Sequence, residues 1–149
     1  MSQGQILLFR AGGLRLGVFL AEVGRLLVED TVVPVPFAHP AMAGLLVADA
    51  DGPVPVFDLR GLTGTVLGQS ADRQRTVALF PTAKGPVGLR LEELMGTIAS
   101  YEALDDDATA LLHKEVAPAL LRTITAAART PDGAFSFFSP DAFLAGLGL

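Results

Sequence analysis

The sequence predicts an all-β fold, mainly β with short helices, built as two small barrels. Three observations carry that expectation. Apolar and polar residues alternate in short runs: Leu14, Leu16 and Val18 oppose Arg15, Gly17 and Phe19, and Val87, Leu89 and Leu91 oppose Gly88, Arg90 and Glu92. Turn-forming pairs divide such runs at Gly12-Gly13, Asp51-Gly52 and Asp132-Gly133. Little of the chain keeps helical spacing, which leaves about nine or ten short strands in two stretches joined near residue 68.

The first two strands are "ILLFR" and "LRLGVF", closed by the glycine pair. "LAEVGRLLVED" carries Gly24 in its middle and Leu26-Leu27-Val28 without helical spacing, so it reads as a short helical turn followed by a strand. Pro34, Pro36 and Pro40 make "TVVPVPFAHPA" an edge segment or connector, because each proline removes a donor and holds its predecessor extended. Leu45-Leu46-Val47 and Val54-Pro55-Val56-Phe57 flank an Asp-Gly turn as a hairpin. Pro53 and Pro55 place its second strand at an edge or beside a bulge.

"GLTGTVLGQSADRQ" reads as the connector between halves. Strands resume in "RTVALF" and "VGLRLEEL", and "MGTIAS" is a candidate for another. The acids of "YEALDDDATALLHKEV" suit a helix start, giving a short helix near residues 106–115. In "LLRTITAAARTPDGAFSFF" the alanines favour helix and Pro131-Asp132-Gly133 favours a hairpin; two strands are expected. Ser139 followed by Pro140 predicts a capped closing helix.

Composition excludes several function classes. Of 149 residues, half are apolar and 18% charged, which opposes disorder. The net charge of -5 opposes nucleic-acid binding, and Arg73-Gln74-Arg75 is too small a basic cluster to reverse that. Without cysteine there is neither a disulfide framework nor a thiolate metal site. Arg, Glu, Gly or Pro interrupts every apolar run before the ~20 residues of a membrane helix, so no membrane insertion is expected. The first residues lack a basic start and the Ile6 to Phe9 run is too short for a secretory core, which makes cytoplasmic residence the expectation.

Catalytic and metal chemistry find little support. His39 and His113 are far apart and neither has a ligand partner at helical spacing, so no metal and no cofactor is expected. Ser70, Ser136 and Ser139 lack a nucleophile elbow. Glu92 and Glu93 are adjacent, hence on opposite faces of a strand, and cannot work as an acid and base pair. No glycine segment ends in the Gly-Lys-Ser/Thr of a phosphate loop. What remains is apolar surface beside proline-punctured strands, a pattern suited to protein docking.

The stretch "GLLVADADGPVPVFDLR" resembles a strand pair of the CheW-like adaptor family of bacterial chemosensory arrays, of the form Gly-Val-x-Asn-Leu-Arg-Gly-x-x-x-Pro-Val-x-Asp-Leu-Arg. Gly44 stands at its start, and Pro55, Val56, Asp58, Leu59 and Arg60 at its end. "VVPVPFAHPAMAGL", "RTVALFPTAKGPVGLRLEELMGTI" and "LLRTITAAARTPDGAFSFFSPDAFLAGL" are similar to the family's segments before and after, in order along nearly the whole chain. The chain departs from the pattern at "DADG", where the family has Arg-Gly, with one extra residue before Pro55. Glu92 and "FFSPD" depart from it as well.

The resemblance implies one CheW-like domain over residues 1–149, as two intertwined SH3-like five-stranded barrels. Subdomain 1 would span roughly 15–68, and subdomain 2 roughly 69–140 with the N-terminal strand and C-terminal helix. It implies a non-enzymatic scaffold in a two-component assembly, coupling the cytoplasmic tip of a chemoreceptor to a CheA-type histidine kinase. Val33, Val35, Phe37, Leu45, Val47, Pro55, Val56 and Leu59 match the family's binding surface, and would insert apolar side chains into a partner's barrel or against a receptor tip. Gly44, Asp58 and Arg60 would be structural, the last two fixing a strand end by local hydrogen bonds. Two readings stand beside it. The acidic "DADG" turn favours an adaptor of another pathway, and a small-ligand-binding β-barrel protein would show an enclosed pocket. A pocket joining His39 to an acid would point instead to catalysis.

Overall fold

The computed structural model describes residues 4–28, 32–36, 38–47, 52–64 and 76–148. They form two curled sheets with short helices between and beside them. Strands β1 (Ile6–Ala11) and β2 (Leu14–Phe19) form a hairpin through Gly12 and Gly13, which take the positive φ values of 61° and 77° that such a turn demands. A 3-10 turn at Leu20–Glu22 then delivers the chain to a second sheet, made of β3 (Arg25–Val28), β4 (Val32–Val33), β5 (Met42–Leu46), β6 (Val54–Phe57), β7 (Thr76–Phe80) and β8 (Val87–Leu91). The chain returns to the first sheet in β9 (Glu93–Ile98), β10 (Glu102–Ala103), β11 (Ile124–Thr130) and β12 (Gly133–Phe138).

The strand orders are β10-β11-β12-β2-β1-β9 and β3-β7-β8-β6-β5-β4. Each sheet thus has five longer strands and one two-residue edge strand, β10 or β4. The sheets do not divide the chain near residue 68. One sheet takes residues 25–91 and the other the two ends, because β7 and β8 pair with β3 and β6. The connector itself, with Ser70 and Arg73 to Arg75, lies outside the described residues.

Each sheet contains one parallel junction, β12 with β2 and β6 with β8, and a glycine sits at each. A Cβ on Gly17 would meet the Phe135 ring at 2.8 Å, and one on Gly88 would meet Val77 Cγ1 at 3.0 Å and Val56 Cγ2 at 3.1 Å. The missing side chain lets the interior of each curled sheet close over the junction. β6 is an inner strand, and of the two placements its prolines suggest it takes the second, beside the register irregularity of β5 rather than at an edge. Its ladder with β8 starts at Val56, beyond Pro55, so the absent donor costs no bond there.

Three apolar clusters hold these layers. Leu7, Phe9, Leu16, Val18, Phe57, Leu59, Phe80, Leu89 and Leu91 fill the space between the sheets. Val54, Val56, Val77 and Leu46 fill the curl of one sheet, and Ile6, Leu8, Ala128 and Phe135 that of the other. Helix α1 (Asp106–Leu112) is shorter than the expected 106–115 and begins where Asp105 accepts the Ala108 N–H at 2.7 Å. α2 (Pro118–Leu121) was not foreseen, although Pro118 at its first position is the signal that marks it. α3 (Pro140–Gly146) is capped by Ser139, which accepts the Ala142 N–H at 3.1 Å, and it buries Phe143 and Leu144 against the central cluster.

Candidate interaction surface

Alternation along β5 and β6 creates two faces with different fates. Leu46 opposes Val32 and Val54, and this row points into the sheet's interior, where Val54 and Leu46 are buried. One residue away, Leu45 opposes Val33 and Pro55, so these three form a row on the outer face. Val33 and Val47 are each 49% exposed and Val35 is 36% exposed, while Leu45 and Pro55 are half-buried. Further along β6, Phe57 shares the outer parity of Pro55 but is covered by the central cluster, where it meets Phe143 edge-on at 5.1 Å. The outer face is therefore sealed at one end and open at the other.

Gly44 makes the row possible. A side chain there would run into the carbonyl oxygen of Val33, which crosses over the glycine where β5 carries its register irregularity. β4 lies at the sheet edge and is followed by Pro34 and Pro36, which supply no donors for a further strand. A partner would thus engage side chains on the face rather than add a strand at this edge.

Asp58 fixes the end of β6. It is 1% exposed and accepts from the Arg60 backbone N–H at 3.0 Å, Arg60 Nε at 3.1 Å, Arg60 Nη2 at 2.6 Å and Arg90 Nη1 at 3.3 Å. Burial pushes its carboxyl upward; the hydrogen bonds and charges of the two arginines outweigh that push and hold it below its ordinary value. The "DLR" triplet is accordingly a strand stop and a 3-10 cap, and Arg90 ties that stop to β8.

The residues expected at the surface do not all lie there. Val33, Val35, Leu45, Val47 and Pro55 share the outer margin. Val56 and Leu59 are corrections: both are 0% exposed, Val56 inside the curled sheet and Leu59 in the 3-10 turn between the sheets, so neither can touch a partner. Phe37 and the turn at residues 48–51 lie outside the described residues. Sequence reasoning missed Leu26 and Val28, 39% and 52% exposed on the opposite edge strand β3. Their only signal was alternation within "RLLV", which adjacent leucines blur.

The polar candidates are dispersed. His113 Nε2 lies 2.8 Å from Ser136 Oγ, and burial lowers the histidine's pKa. Glu92 accepts the Gly13 N–H and Glu93 lies 3.5 Å from Arg10, so both serve local structure. His39 lines a cavity with Arg122 beside the 3-10 turn after β6, and no acid is among its described lining residues. Among the described residues no cluster of three potential metal ligands occurs, and no helix is long and apolar enough to cross a membrane.

No protein-family model matches the chain, and no curated protein matches it in sequence. Among solved structures it resembles the scaffolding protein TtCheW from Thermoanaerobacter tengcongensis with a TM-score of 0.66 and 16% identity. That likeness covers 94% of this chain and 86% of the other. At this identity the shared property is the architecture, and the chain has the fold of a CheW scaffolding protein.

Proposed function

We propose that this chain is a non-catalytic adaptor of a bacterial chemosensory complex, coupling a chemoreceptor's cytoplasmic tip to a CheA-type histidine kinase by protein contacts in the cytoplasm. The observation that carries the reading is the outward row Val33, Leu45 and Pro55, continued by Val47 and Val35, on a fold shared with a scaffolding protein. Apolar side chains left at an open sheet margin gain by burial against a partner, at about 25 cal/mol per Å². The role needs surface and rigidity rather than reactive groups. The clustered packing on both faces of each sheet and the Asp58 node supply that rigidity.

The test is co-sedimentation of the purified chain with a CheA-type kinase and a receptor cytoplasmic fragment. The reading expects a ternary complex in which kinase association with receptor depends on this chain. Kinase and receptor that each ignore the chain would overturn it, and would favour an adaptor of another pathway.

A further inference from the structure

The cavity that His39 shares with the 3-10 turn after β6 and with α2 and α3 has a composition that the adaptor role does not use. Its volume is about 280 Å³, and it is bounded by the approach to β5, the 3-10 turn after β6, α2 and α3. Gly61 forms one wall, its absent side chain allowing the backbone to lie against the carbonyl of Pro40. Phe143 and Leu62 give an apolar floor, and the Phe143 ring is fixed by its edge-on contact with Phe57. Gly146 lies beside the stem of Arg122, where a Cβ would meet Arg122 Cβ at 3.8 Å and Cδ at 4.0 Å.

Two donor-bearing side chains, His39 and Arg122, line the cavity together with these apolar residues. His39 Nδ1 accepts the backbone N–H of Ala41 at 3.0 Å, so in the neutral ring the proton resides on Nε2, which becomes a donor. Arg122 brings a guanidinium, and among the described residues it has no hydrogen-bonding or charged partner. Thr123, also in the lining, already donates to the Leu120 carbonyl at 2.7 Å and is satisfied. With no acid among the described lining residues, the cavity favours negative charge at the donors and apolar bulk beside them.

We propose that this cavity binds a small monocarboxylate with an apolar body, its two oxygens taken by Arg122 and His39 Nε2. A guanidinium matches a carboxylate through parallel donors. The volume lies just below the usual range for ligand sites, which favours an aryl-acetate or short-chain acid over a larger ligand. Inorganic phosphate would satisfy the donors but leave Phe143 and Leu62 uncovered.

Amide-resolved NMR titration with phenylacetate tests this on the full chain. Saturable shifts are expected at the amides of Leu62, Arg122 and Gly146. Phenylacetamide should bind at least about tenfold more weakly, since charge-assisted hydrogen bonds are stronger than neutral ones. Arg122→Leu, an exposed position, should abolish the preference for acid over amide, whereas Gly146→Leu should fill the cavity and weaken both ligands. Equal affinity for acid and amide, phosphate binding as tightly as phenylacetate, shifts confined to other surfaces, or no saturable shift would each overturn the proposal.

Discussion

Leu45 and Pro55 are cross-strand partners on the outer face of one curled sheet, while Leu46 and Val54, one position along, are buried in its interior. A single step of register separates an outward-facing row from the core.

That separation predicts opposite outcomes for neighbouring substitutions. Leu46→Asp places a carboxylate among Val54, Val56 and Val77 and should destabilise by about 4 kcal/mol or more. Val47→Asp should change stability by no more than about 0.5 kcal/mol. Urea unfolding of the two variants checks the contrast.

The Asp58 node predicts an acid-side loss of stability. Its folded pKa is lowered, so between the folded and ordinary values the unfolded chain binds more protons. The stabilisation is complete above the ordinary value of 3.8 and disappears as pH falls through the folded one. Asp58→Asn should cost on the order of 3 kcal/mol at neutral pH, by removing the negative charge between Arg60 and Arg90. It should also flatten the acid limb of a stability-against-pH curve.

The hairpins and the capped closing helix were legible because their signals are local: Gly12-Gly13, Asp132-Gly133 and Ser139-Pro140 specify backbone geometry wherever the rest of the chain goes. The candidate interaction surface was legible only in part. "VPVF" is apolar on both parities since β6 is covered on its inner face and, at Phe57, on its outer face too, so sequence could not separate Val56 from Pro55. The parallel pairing of β6 with β8 depends on a contact that no turn announces, and with it went the placement of Leu59 and the division of strands between sheets.

The two parallel junctions predict that their glycines are not exchangeable for branched residues. Gly17→Val and Gly88→Val should each destabilise by about 1–3 kcal/mol or more, from overpacking against Phe135 and Ile6 in one case and Val77 and Val56 in the other. Thermal unfolding monitored by circular dichroism reads the effect.

The partial burial of His113 predicts a second pH dependence. Burial depresses the folded pKa of His113, so its contribution is present above the ordinary value of 6.5 and is lost as pH falls through the folded value. NMR titration of the ring should place its midpoint below 6.5. His113→Asn should remove the corresponding slope from stability measurements.

The most direct test of the docking margin is the affinity of Leu45→Asp and Val47→Asp for the CheA-type kinase and the receptor fragment, measured calorimetrically beside unfolding curves for the same proteins. The account predicts that at least one of the two partners binds both variants about tenfold or more weakly while Val47→Asp unfolds like the parent chain. Parent-like affinity of both variants for both partners would contradict it.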